Sequence, residues 1–190
     1  MDEPINAVTE QTPRLVDEAA LILEAQKDIA SFKPLYLQWA TPIYKYIYFM
    51  VQSQVVAEDI TSQVFLKACE QLPRYKHRGY FSAWLFAIAR NATRDHLRKA
   101  ARELPIETAT QRDVDLNILA QVVHSDELQR LERLVRSLPA NEQDLIHLRY
   151  AASLTFQEIG NITNRREDAV RKALKRLLSR LERQLEANNA

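Results

Sequence analysis

Only two glycines, Gly79 and Gly160, occur in 190 residues. A chain so poor in the residue that supplies tight turns cannot build a sheet of many short hairpins. No run alternates apolar and polar residues long enough to read as a strand. Long stretches rich in Leu, Ala, Glu, Arg and Gln favour helix instead. Apolar residues make up 46% of the chain, enough for packed cores in one or two small domains. The expected fold class is all-α.

The net charge of +1 conceals a division. Residues 74–99 hold Arg74, Lys76, Arg78, Arg90, Arg94, Arg98 and Lys99 against Asp95 alone. Residues 165–183 hold Arg165, Arg166, Arg171, Lys172, Lys175, Arg176, Arg180 and Arg183 against Glu167, Asp168 and Glu182. The remainder is net acidic. Two basic segments in an acidic chain read either as two polyanion contacts or as two solvated helix faces. Cys69 is the only cysteine, so no internal disulfide forms and a cytoplasmic thiol packed on an apolar helix face is expected. Nothing resembles a signal core or a membrane span, so no membrane insertion is expected.

The apolar periodicity predicts a loose tail over 1–13 and then a series of helices. The first covers about 14–27 with Leu15, Ala19, Ile22, Leu23 and Ala25 apolar. Asp28 or Ser31 caps the next, which carries Pro34 in its first turn, where a missing N–H costs little. Pro42 is expected to bend or restart that helix. A break at 52–54 precedes a helix over 56–72 with Ile60, Val64, Phe65, Ala68, Cys69 and Leu72 on one face. Pro73 stops it. The following helix, over 81–102, uses Trp84, Leu85, Ile88 and Ala89 as its core stripe. One of Tyr80 and Phe81 is expected to be buried. Residues 103–124 lack a sustained period and read as a linker.

A second helical cluster runs from 125 to 186. Its first helix carries Leu128, Leu131, Leu134, Val135 and Leu138. The next is capped by Asn141 and buries Leu145, Ile146, Leu148 and Tyr150. Thr155 and Glu158 have capping-box spacing. The last helix, over 166–186, carries Val170, Leu174, Leu177, Leu178, Leu181 and Leu185 on one side. A short helix, a turn and a longer helix with a basic front fit a helix-turn-helix, which inserts its second helix into the major groove. A charged helical hairpin has the same pattern.

The segment 74–80 mixes cations with aromatic rings, which suits a polyanion whose bases are unstacked. His77 and His96 lack a second ligand at metal spacing. Glu58 and Asp59 are adjacent on a helix and point about 100° apart, so they do not converge as an acid–base pair. No glycine-rich phosphate loop, nucleophile motif or metal cluster is present, and neither catalytic residues nor a cofactor are expected.

Ala57-Glu58-Asp59-Ile60-Thr61-Ser62-Gln63-Val64-Phe65-Leu66-Lys67-Ala68 resembles the "AEDLTQEVFLKA" segment of bacterial sigma factors of the extracytoplasmic-function (ECF) group of the sigma-70 family. Tyr75 through Asn91 is similar to that group's promoter-melting segment and the helix after it. Leu138-Pro139, Leu148-Arg149-Tyr150 and Phe156-Gln157-Glu158-Ile159 resemble its second domain. The resemblance implies two helical domains, 14–102 (region 2) and 125–186 (region 4), on a flexible linker over 103–124. It implies a protein that binds core RNA polymerase, recognises promoter −10 and −35 elements and melts the former. Glu58, Asp59 and Gln63 then become candidates for the polymerase β′ clamp helices. Arg74, Lys76, His77, Arg78, Tyr80, Arg90, Asn91, Arg94 and Arg98 become candidates for −10 DNA. Arg165, Arg166, Arg171, Lys172, Lys175 and Arg176 become candidates for −35 DNA, in a domain that also meets the β-flap. An anti-sigma factor is an expected partner. The turn at 162–169 departs from the family's more frequent Leu-Gly, Pro and Gly-Thr pattern, and Asn164 is expected to take the left-handed conformation. The alternatives are a helix-turn-helix regulator that works without polymerase, and an adaptor of the anti-sigma kind.

Overall fold

The computed structural model describes residues 18–77, 80–103 and 126–187. The expected tail 1–13, Arg78, the cap at Ser125 and nearly all of the expected linker lie outside the described residues. Eight α-helices and no strand occur among the described residues: α1 (Glu18–Lys27), α2 (Lys33–Val51), α3 (Gln54–Gln71), α4 (Phe81–Glu103), α5 (Asp126–Arg136), α6 (Ala140–Ile146), α7 (Phe156–Thr163) and α8 (Glu167–Ala187). The fold is all-α, with two helical domains.

Helices α1 to α4 form the first domain around Leu35, Ile43, Ile47, Val64, Phe65, Phe81, Leu85 and Phe86, all buried. Asp28 caps a short 3-10 turn that leads into α2, its carboxylate accepting from the Ala30 amide at 3.0 Å. Helix α2 runs through Pro42 without interruption, so the expected restart does not occur. Burial of Ile43, Tyr46 and Ile47 on the following turn outweighs one missing backbone bond. The break at 52–54 is a left-handed Gln52 at φ 55°, followed by Ser53 capping α3. Gln26 of α1 donates to the carbonyls of Leu72 (2.9 Å) and Tyr75 (2.7 Å), pinning the segment that enters α4. Leu23, on the expected apolar stripe of α1, is instead 57% exposed.

The fully buried aromatics of α4 are Phe81 and Phe86 rather than Trp84. Phe86 is fully buried and meets Trp39 (6.2 Å) and Tyr46 (5.8 Å) edge to face. Trp84 is half-buried against Tyr75 and Phe81. Of the ambiguous pair, Phe81 is buried and Tyr80 half-buried.

In the second domain α6 starts without a side-chain cap, so Asn141 does not play the expected role; Pro139 occupies that position. A π-helical turn, His147–Ala151, extends α6 and leaves Tyr150 49% exposed rather than in the core. The Thr155–Glu158 capping box is present, and Asn164 ends α7 at φ 56°. Gly160 permits the tight α7–α8 turn: a Cβ there would lie 2.6 Å from the Arg165 carbonyl oxygen. Val170, Leu174, Leu177 and Leu181 bury one face of α8, and Arg180 pairs with Glu142 of α6.

The two domains pack directly on each other. The π turn lies on α2, and α7 lies on α4.

Candidate nucleic-acid and polymerase surfaces

Helix α3 is two-faced. Ala57, Ile60, Val64, Phe65 and Ala68 are buried, while Glu58, Asp59 and Gln63 face solvent. Asp59 and Gln63 border a groove of about 380 Å³ whose far wall is Asp95, His96 and Lys99 of α4. The Glu58 carboxylate accepts from Gln54 at 2.9 Å and adds, after burial, to the raised pKa of Tyr44. These acids therefore form one exposed, hydrogen-bonding patch suited to a basic partner.

The segment leading into α4 presents Arg74, Lys76 and His77 to solvent. The His77 ring lies edge-on to Tyr75, its Nδ1 3.4 Å from the Tyr75 hydroxyl. Tyr75 and Trp84 rings approach to 4.6 Å and, with Arg74, Glu70 and Gln71, line an open recess. Half-exposed rings beside cations can stack on an unpaired base while its phosphate is neutralised. Trp84 thus belongs to this surface as well as to the rim of the core.

Further along α4 the expected cations separate. Asn91 and Arg98 are exposed, Arg98 pairing with Asp95 at 2.9 Å. Arg90 and Arg94 point at the second domain. Arg90 Nε donates to Asp144 Oδ2 at 2.8 Å, and Arg94 donates to the same oxygen at 2.7 Å. The Tyr46 hydroxyl donates to the other oxygen, Oδ1, at 2.8 Å. Asp144 is completely buried. Burial and the Asp144 charge push the Tyr46 phenol well above its ordinary range. Beside this cluster the Ser82 hydroxyl donates to Glu158 at 2.6 Å, and His147 stacks on Phe49 at 5.3 Å.

Asp144, Glu158, Tyr46 and Ser82 are not among the site residues expected from the sequence. Asp144 does leave a trace there, since it stands one turn before Leu148 on the apolar face of its helix, an uncomfortable place for an acid without partners.

On α8 and the turn before it, Arg165, Arg166, Arg171, Lys172, Lys175 and Arg176 are all exposed. Arg171 is partly committed: it pairs with Glu167 at 2.6 Å and lies over the Phe156 ring, which Arg149 covers as well. The other five form no ion pair among the described residues and make a basic stripe that runs from the α7–α8 turn along α8. Among the described residues no group of His, Cys, Asp and Glu is placed to hold a metal ion, and no helix is long and apolar enough to cross a membrane.

The chain matches the family models "Sigma-70 region 2" over residues 35–103 and "Sigma-70, region 4" over 134–183. It is 31% identical over 150 residues to ECF RNA polymerase sigma factor BldN of Streptomyces coelicolor, covering 74% of this chain and 55% of that one. It is 35% identical over 132 residues to ECF RNA polymerase sigma factor ShbA of Streptomyces griseus, covering 65% and 69%. The chain thus spans little more than half of the BldN length. Its fold is shared with the sigma factor RpoE of Bartonella quintana, solved in complex with the anti-sigma factor NepR: the TM-score is 0.66 at 22% identity, covering 82% of this chain and 96% of that one. Two helical domains, each matching its own sigma region and flanking the interface just described, make this chain a member of the ECF group of the sigma-70 family.

Proposed function

We propose that the chain joins core RNA polymerase as its promoter-specificity subunit, without enzymatic activity of its own, in the cytoplasm. Glu58, Asp59 and Gln63 on α3 contact the β′ clamp helices. Arg74, Lys76, His77, Arg78 and Tyr80 hold the melted −10 strand, while Arg90, Asn91, Arg94 and Arg98 track its backbone along α4. Arg165, Arg166, Arg171, Lys172, Lys175 and Arg176 engage the −35 element, and their domain meets the β-flap. An anti-sigma factor binds and restrains the chain; the anti-sigma factor NepR is found in complex with a protein of the same fold.

The observation that carries this reading is the division of surface on the first domain. An acidic patch on α3 and a cationic, aromatic recess at the start of α4 occupy separate exposed faces of one bundle. A protein that grips a basic helix on one side and unstacked bases on the other needs that division. Flipping a base costs a few kcal/mol of stacking, which ring contacts and phosphate pairing can offset without nucleotide hydrolysis.

Co-elution with core polymerase tests the reading. The wild-type chain should form a stable complex, and Glu58→Lys with Asp59→Lys should abolish it while leaving the helical circular-dichroism signal intact. Equal complex formation by both proteins would remove α3 from the interface.

A further inference from the structure

The Asp144 carboxylate engages two arginines in the way a phosphate could. It is an anion held between two guanidiniums, Arg90 and Arg94, that the proposed function assigns to −10 DNA. We propose that the closed packing of the two domains is a self-inhibited state, latched by Asp144, in which the chain's own acid competes with nucleic-acid phosphate for these arginines. The inference rests on the DNA role proposed for α4 and adds to it a control internal to the chain.

The contacts across the junction are selective. Arg90 is 20% and Arg94 40% exposed, so both are partly covered by the second domain. Ser82, at the start of α4, is covered too and is bonded to Glu158. The surfaces that would meet polymerase and the −35 element remain outside. Glu58, Asp59 and Gln63 are exposed, and so are the cations of α8. A closed molecule can therefore be captured by polymerase, or by duplex DNA through α8, before its −10 surface is free. Separation of the domains then delivers Arg90 and Arg94.

The chemistry of the latch suits reversal. A buried ion pair gains little net stability, because attraction is offset by desolvation of both charges. Opening returns Asp144, Arg90 and Arg94 to water, so no charge is left stranded. Tyr46 provides the third bond and reads the presence of the carboxylate from the opposite side. The hydrogen bonds that hold the Asp144 carboxylate come from Tyr46, Arg90 and Arg94, all in the first domain.

The test uses the full-length chain and Asp144→Asn, which keeps the shape of the side chain and removes its charge. Small-angle scattering reports closure, and fluorescence anisotropy reports binding of a labelled random-sequence single-stranded DNA 12-mer at fixed salt. Unchanged helical circular dichroism establishes that Asp144→Asn is folded; Tyr46→Phe serves as a second, milder release. Asp144→Asn should enlarge the radius of gyration and tighten DNA binding by about tenfold if a tenth of wild-type molecules are open. Arg90→Gln with Arg94→Gln should reverse the gain in the Asp144→Asn background. An unchanged radius for both variants overturns the latch. Expansion without tighter DNA binding overturns the competition. Neither result touches polymerase co-elution, which stands or falls separately with the proposed function.

Discussion

The Tyr46 hydroxyl donates to the Asp144 carboxylate at 2.8 Å, joining residues 98 positions apart. It links α2 of one domain to α6 of the other, and both partners are fully buried. Tyr46→Phe removes the donor and leaves Asp144 with its two arginines. The expected loss is about 1 kcal/mol in urea unfolding. A loss within error would show that this bond does not contribute to closure.

Phe86 and Trp84 separate core from rim on α4. Phe86→Ala should destabilise by about 3–5 kcal/mol, because it removes a fully buried ring between Trp39 and Tyr46. Trp84→Ala should cost only about 1–2 kcal/mol, since the indole is half-exposed. It should also weaken single-stranded DNA binding, which Phe86→Leu should not. Thermal melts and anisotropy on the same preparations check both halves.

Gly160→Ala places a methyl group 2.6 Å from the Arg165 carbonyl, a fixed backbone atom. The α7–α8 turn must shift, with an expected cost of about 1–3 kcal/mol. Duplex DNA binding should fall with it, since Arg165 and Arg166 lie in that turn. Hydrogen exchange should locate the loosening in α7 and α8. Uniform exchange across both domains would contradict a local origin.

Burial lowers the His147 pKa from 6.5 to about 4, with the Asp144 charge acting in the opposite direction. Between these values an open or unfolded chain takes up a proton that the closed chain refuses. The stability conferred by neutral, buried His147 is complete above pH 6.5 and is lost as pH falls through about 4. From pH 7 to pH 5 the loss should be about 2 kcal/mol. His147→Gln should flatten the profile over that range, and an equally steep profile in the variant would assign the effect to other groups.

Local features of the fold were legible because their partners lie within a few residues. The Thr155–Glu158 capping box and the left-handed Asn164 need only a four-residue window, and both are present. Pro42 misleads because its cost is local while the burial of Ile43, Tyr46 and Ile47 is tertiary. Trp84 and Phe86 cannot be ranked by periodicity, since α4 is apolar on most sides from Phe81 to Ala89. Leu23 and Tyr150 follow an apolar stripe yet end up exposed. The basic and acidic surfaces follow from charge and spacing. The Asp144 cluster does not, because Arg90 and Arg94 stand 54 and 50 positions from their partner and read as solvated cations.

Lys76→Ala with Arg78→Ala should spare folding and polymerase binding but impair strand opening. Permanganate footprinting of −10 thymines in the assembled complex should show reduced reactivity. Wild-type reactivity would exclude these two side chains from melting.

Sequencing the transcripts that cognate core polymerase makes in vitro from genomic fragments tests the central claim most directly. With this chain present, new start sites should appear that share one pair of upstream elements at −10 and −35. Stable protein that co-purifies with core polymerase yet yields no chain-dependent start site would contradict the account.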